Sequence, residues 1–239
     1  MKTIALCAWL GLMLATGMAG AQELVMIAPT NHAMPWAKFK DGVLTDGILK
    51  EMGEAIAART GRRARFIDLP SKRVAGELTL GHGDGVCYVM PSWIAGDFNW
   101  TVPLIPSGGL LVAHPDVPVL KDLAHLAGEP IGTVIGYNYR QLDEALGPHY
   151  LRDDAPTMEH NVRKLAAGRR HYAIVEATSL AYLMRIDKSL RLRTDLVIAT
   201  FKAKCAFSKR AQVPFAQIER AIDSLVSDGS IERILSHYR

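Results

Sequence analysis

The residues of this 239-residue chain that could do chemistry are polar and aromatic groups that follow short apolar runs, and they fall in four clusters. Asn31, His32, Met34, Pro35 and Trp36 follow the first run, and Ser92 and Trp93 follow the third. Gly136, Tyr137, Asn138 and Tyr139 follow the run that ends at Val134, and Glu176 follows Ile174-Val175. In open α/β sheets the ligand crevice lies beyond the carboxyl ends of the strands, so four such clusters can face one cleft. Signatures of bond-breaking chemistry are missing. There is no Gly-x-Ser-x-Gly, no His-Glu-x-x-His, no phosphate loop ending in Gly-Lys-Ser/Thr and no Gly-x-Gly-x-x-Gly. The eight histidines, among them His82, His114 and His160, show no metal-ligand spacing, so neither a metal nor a cofactor is expected.

Positioning these clusters requires strands and helices in alternation, and the pattern supplies them. Leu24 to Ala28, Arg65 to Leu69 and Gly85 to Met90 read as strands. Between them lie a helix with Ile48, Leu49, Met52 and Ile56 on one face, capped by Thr45-Asp46, and a helix from Ser71 that stops at Gly81. A second round follows, with strands at Pro130 to Val134, Tyr150 to Arg152 and Tyr172 to Val175. Its helices cover Gln141 to Leu146, Thr157 to Gly168 and Thr178 to Arg185. Short strands near Leu196 to Ile198 and Cys205 to Phe207 lead into helices carrying Ile218, Ile222, Leu225 and then Ile231, Ile234, Leu235. This order predicts an α/β protein of two lobes, each a mainly parallel sheet flanked by helices. The tail folds back on the first lobe, with crossings near Ser107 to His114 and Val197 to Ala203.

The first residues limit where such a protein works. Lys2, an uncharged apolar stretch from Ile4 to Ala15 and the small residues Ala19-Gly20-Ala21 predict a cleavable signal peptide over residues 1–21 and a periplasmic destination. Its loss removes one Lys, so 28 Lys+Arg against 24 Asp+Glu become 27 against 24. The basic excess is dispersed, and its densest run, Arg59 to Arg65, sits where a helix ends and complements the helix dipole. No nucleic-acid partner is expected. With Cys7 removed, Cys87 and Cys205 are left as either a disulfide or two buried free thiols.

Four short motifs in order carry a family likeness over the whole expected mature chain. They are Asp46-Gly47-Ile48-Leu49, Leu80-Gly81-His82-Gly83-Asp84, Ile131-Gly132-Thr133-Val134-Ile135-Gly136-Tyr137 and Asp228-Gly229-Ser230-Ile231. The chain resembles the type II periplasmic solute-binding proteins of the polar amino-acid class, extracellular solute-binding family 3 of ABC transporters. The resemblance implies lobe 1 from residues 22–108 and 198–239, lobe 2 from residues 109–197, and two hinge strands between them. It implies a monomer that traps a small polar solute, an amino acid or a related organic acid or amine, and hands it to an ABC transporter membrane permease. A membrane sensor is the other partner it allows.

By the same resemblance Trp36 stacks on the ligand, Gly136, Tyr137 and Asn138 form the carboxylate pocket, and Glu176 grips an ammonium group. Ser92 and Trp93 join this set by their place after the third strand rather than by the resemblance. Each has a structural alternative: Glu176 as a helix cap, Trp36 and Trp93 as core aromatics, Tyr137 as packing between lobes. One departure stands out. The family places an arginine in the loop after the third strand, yet Pro91 to Trp100 contains none, and Arg73 is the nearest substitute. An enzyme on this scaffold, similar to cyclohexadienyl dehydratases, is the rival to a non-enzymatic binding protein.

Overall fold

The structure is a computed structural model that describes residues 22–239, so the predicted signal peptide over residues 1–21 lies outside the described residues. No helix among the described residues is long and apolar enough to cross a membrane. Strand β1 (Glu23–Pro29) is followed by a small hairpin of β2 (Lys38–Lys40) and β3 (Val43–Asp46), then by helix α1 (Ile48–Arg59). The predicted face of α1 is buried, but Thr45 and Asp46 do not cap it. Gly47 holds the cap position at φ 113 without a side-chain bond. The Ile48 and Leu49 amides donate instead to the carbonyls of Pro35 and Trp36 at 2.9 and 3.0 Å. A Cβ on Gly47 would lie 2.6 Å from the Trp36 oxygen, so this close approach needs glycine. The loop after β1 is thereby tied to the start of α1.

Strand β4 (Arg63–Leu69), helix α2 (Ser71–Leu80) and strand β5 (Gly85–Val89) complete the first α/β round. Helix α2 ends at Gly81 in the left-handed conformation, as the pattern predicts. Strands β6 (Phe98–Trp100) and β7 (Ile105–Ala113) lead to a 3-10 turn at Leu123–Leu126. The second round is β8 (Pro130–Val134), α3 (Arg140–Leu146), β9 (Leu151–Ala155), α4 (Met158–Ala166), β10 (Tyr172–Glu176) and α5 (Ala177–Ile186). Strand β11 (Arg193–Ser208) and helices α6 (Phe215–Ser227) and α7 (Ser230–Ser236) close the chain.

The main sheet runs β4-β1-β5-β11-β7-β10-β8-β9, with β6 added beside β11. Parallel pairing is confined to β4-β1-β5 at one end and β10-β8-β9 at the other. The centre is antiparallel, because β7 and β11 run through both halves of the sheet. The two short strands expected at the tail are one strand of 16 residues. Its middle, Ala199-Thr200-Phe201-Lys202, lacks the apolar density that marks a strand in sequence, and the ladder to β7 carries it across.

Helices cover both faces of each half-sheet. In the first half α1, α6 and α7 bury Met52, Ile56, Phe207 and Ile222 on one side, and α2 buries Val74 and Leu78 on the other. In the second half α4 and α5 bury Val162, Leu165 and Leu183, and α3 buries Leu142 against Ile131. The basic run after α1 forms surface pairs: Arg59 with Asp228, and Arg65 with Glu23 at 2.7 Å. Cys87 and Cys205 stand opposite each other on β5 and β11 and are joined as a disulfide.

Candidate functional site

A cavity of about 180 Å³ lies between the two halves at the carboxyl ends of β1, β5, β8 and β10. Trp36, Tyr88 and Trp93 wall it from the first half, Tyr137, Glu176 and Ser179 from the second. Phe201 of β11 forms part of its wall. Three direct hydrogen bonds cross from the loop after β1 to the far half. Asn31 Nδ2 donates to the Ile135 carbonyl at 2.9 Å. His32 Nδ1 pairs with the Tyr137 hydroxyl at 2.9 Å, and Trp36 Nε1 donates to Glu176 Oε2 at 2.8 Å.

Burial keeps the His32–Tyr137 pair uncharged. Desolvation lowers the His32 pKa to about 4, so the imidazole is neutral at physiological pH. It also raises the Tyr137 phenol well above its ordinary value, with smaller contributions from Tyr139 and Glu176. The bond is therefore one between neutral, largely buried partners.

Glu176 ends β10 and caps α5, and its carboxylate is fully engaged. Oε1 accepts from Ser107 Oγ and from the Thr178 amide at 2.9 Å. Oε2 accepts from Trp36 Nε1, from the Ser179 amide at 2.7 Å and from Ser179 Oγ at 2.8 Å. Five donors meet the roughly four lone-pair positions of a carboxylate. The helix-cap alternative for Glu176 thus describes its contacts, although the group also faces the cavity.

Tyr88, which the sequence reading does not single out, is the hub of the aromatic wall. Its ring stacks on Trp36 with centroids 3.6 Å apart and an interplanar angle of 21°, and covers it so that Trp36 is 2% exposed. Its edge and faces meet His32, Trp93 and Phe201 at 5.8, 6.0 and 6.3 Å. Tyr88 holds φ 62, a left-handed conformation uncommon for a bulky residue. Such a conformation is not legible in a strand-like run such as Val86-Cys87-Tyr88-Val89. Burial, and then the Glu176 charge, hold its phenol well above the ordinary range. The hydroxyl is close enough to Ser107 and Glu176 to feel both, yet it completes no hydrogen bond of acceptable geometry.

The turn Gly136-Tyr137-Asn138 lines the cavity. Gly136 adopts φ 82, and the Tyr137 amide is spent on the Val134 carbonyl at 3.2 Å. Helix α3 behind it has only seven residues. Arg152 on β9 braces the turn by donating to the Tyr137 and Val134 carbonyls, each at 3.1 Å, while pairing with Asp154 at 2.7 Å.

Two residues expected at the site stand apart from the cavity. Arg73 lies on the outer face of α2, 62% exposed, and pairs with Glu77 at 2.9 Å. The i, i+4 spacing of Arg73 and Glu77 favours this surface pair over any reach into the cleft. Ser92 is exposed at the start of its loop, while Trp93 beside it, itself 38% exposed, lines the cavity and meets Phe201 at 5.0 Å. Among the described residues no arginine or lysine lines the cavity, and Lys72 opens on an adjoining groove.

No protein-family model matches this chain, and no curated protein matches its sequence. Solved structures do. The ancestral amino-acid-binding protein AncCDT-1, a precursor of cyclohexadienyl dehydratase, aligns with a TM-score of 0.75 at 14% identity, covering 90% of this chain and 95% of that one. The arginine-, lysine-, histidine-binding protein ArtJ of Geobacillus stearothermophilus aligns at 0.74 with 14% identity, covering 91% and 95%. A histidine kinase sensor domain with similarity to periplasmic binding proteins aligns at 0.74 with 20% identity, covering 91% and 96%. At these identities the likeness concerns the fold, and the chain has the two-lobed fold of periplasmic binding proteins.

Proposed function

We propose that this protein is an exported solute-binding protein that closes two lobes over one small molecule and presents the closed form to an ABC transporter membrane permease. The observation that carries the reading is the cavity walled by both halves of the fold and bridged by three hydrogen bonds from a single loop. In this reading residues 22–108 and 198–239 form one lobe, residues 109–197 the other, and β7 with β11 the hinge. Trp36, Trp93, Tyr137 and Glu176 contact the solute directly or hold the groups that do. Gly136 and Asn138 shape the turn beneath it, and Tyr88 joins them.

The test is ligand-induced thermal stabilisation across a broad metabolite panel. A solute at 100 times its Kd adds about 2.7 kcal/mol, which is several degrees for a chain of this size. No shift with any compound refutes the reading.

The likeness to a histidine kinase sensor domain supports a second reading, in which the closed form is read by a membrane receptor. Deleting the gene separates the two. Loss of solute uptake supports delivery to a permease, and unchanged uptake with a lost transcriptional response supports sensing. The likeness to a dehydratase precursor is tested by incubation with prephenate and arogenate, where zero turnover at high protein concentration removes the dehydratase reading.

A further inference from the structure

Resting on the cleft being a solute site, we propose that its ligand is a compact N-methylated organic cation that carries no carboxylate. Charge is the first argument. Among the described residues Glu176 is the only charged side chain at the cavity wall once His32 is neutral. Of the neighbouring cations, Arg73 is spent on Glu77 and Arg152 on Asp154 and two carbonyls, and Lys72 opens on the adjoining groove, outside the cavity lining. A carboxylate-bearing solute would be desolvated next to a like charge with no cation to pair with, which is the costly arrangement.

The rings supply the second argument. Tyr88, Trp93 and Phe201 are mutually inclined, at 70° for Tyr88 with Trp93, 83° for Trp93 with Phe201 and 50° for Tyr88 with Phe201. Trp93 and Phe201, nearly at right angles, make the corner of a box, and Tyr88, its own faces covered by neighbouring rings, packs behind it; all three line the cavity. Aromatic faces attract cations, and such boxes suit quaternary ammonium groups.

The state of Glu176 decides which cation. Its acceptor positions are already filled by five neutral donors, so a primary ammonium would bring N–H groups to Glu176 and find no free oxygen on it. An N-methylated centre has few or no N–H groups to satisfy and still feels the negative charge. Size agrees, because an apolar cavity of about 150 Å³ holds benzene, and this one is about 180 Å³.

Calorimetric titration of the purified protein, freed of carried-over solute by unfolding and refolding, tests this with four probes. Choline is expected to bind at least about tenfold tighter than 3,3-dimethyl-1-butanol, its neutral carbon isostere. It is also expected to bind at least about tenfold tighter than glycine betaine, which adds a carboxylate, and than ethanolamine, which restores the N–H groups. Trp93→Ala is expected to weaken choline about tenfold while circular dichroism shows the fold retained. Should that variant fail to fold, Phe201→Leu serves in its place. Tighter binding of glycine betaine or of an L-amino acid, or equal binding of the neutral isostere, overturns the proposal and leaves the solute-binding reading standing. If no probe binds while other metabolites still raise the melting temperature, the ligand class is wrong. If nothing in the panel shifts it, the solute-binding reading itself falls.

Discussion

Trp36 Nε1 donates to Glu176 Oε2 across 140 positions of sequence, at 2.8 Å, and so fastens the loop after β1 to the first turn of α5. One bond thus couples the entrance of one half of the fold to a helix cap in the other. Removing the carboxylate by Glu176→Ala strips the cap from the Thr178 and Ser179 amides and leaves the buried indole N–H alone. The expected loss is about 2–4 kcal/mol of unfolding free energy, read by urea denaturation. In a double-mutant cycle with Trp36→Phe the two losses should fall short of additivity. Simple additivity would show that the bond contributes nothing.

His32 makes stability depend on pH. Its folded pKa of about 4 lies below the ordinary 6.5, so between those values the unfolded chain binds more protons than the folded one. Stability from this group is fully present above about pH 7, falls as pH drops from 6.5 toward 4, and changes no further below that. The span corresponds to roughly 3 kcal/mol at most. Chemical denaturation from pH 7.5 to 4.5 measures it, and His32→Gln should flatten the slope over that window.

Tyr88→Phe should stabilise the ligand-free protein. The substitution keeps the stacked ring and removes a buried hydroxyl that has no partner. The gain should be about 1 kcal/mol or more, read as a higher melting temperature. A lower melting temperature would show that the hydroxyl is satisfied after all.

Opening the Cys87–Cys205 bond should cost about 2–5 kcal/mol, because it closes a loop with a sequence separation of 118. Cys87 directly precedes Tyr88, so the Cys87→Ala, Cys205→Ala double variant should also bind solute more weakly than its residual stability accounts for. Melting curves with and without saturating ligand separate the two effects.

Arg152 is a positioning residue for the turn at Tyr137. Arg152→Lys keeps the charge but loses the planar fork that reaches two carbonyls and Asp154 together. Solute affinity should drop several-fold with a stability change under about 1 kcal/mol, the range for a partly exposed site. Unchanged affinity would free the turn from Arg152.

Local signals in the sequence account for much of this architecture. The strands at Leu24 to Ala28 and Pro130 to Val134, the stop at Gly81 and the buried face of Ile48, Met52 and Ile56 each follow from periodicity or from one residue's backbone freedom. Trp36, Trp93, Tyr137 and Glu176 reach one cavity because strand ends in this class of sheet converge. What the sequence could not display depends on contacts far apart in the chain. Tyr88 becomes a site residue through its φ and through the partners that reach it from β11 and the first loop. Phe201 lies in a stretch whose strand character comes from pairing with β7. Arg73 chose its helical neighbour Glu77, and α1 took its cap from Pro35 and Trp36 carbonyls that no local motif announces.

Strand β11 is hydrogen-bonded along its length, to β7 over residues 193–203 and to β5 over residues 204–207. Its ladder slips register between Thr194 and Leu196, opposite Val112 and Leu111, and again between Val197 and Ala199, opposite Leu110 and Gly109. On the proposed solute-binding reading, a joint built this way would flex as a twisting ribbon. If the lobes part as the proposed function requires, they do so without exposing an unpaired stretch of backbone, and the moving joint would offer proteases none of the slack chain on which they depend.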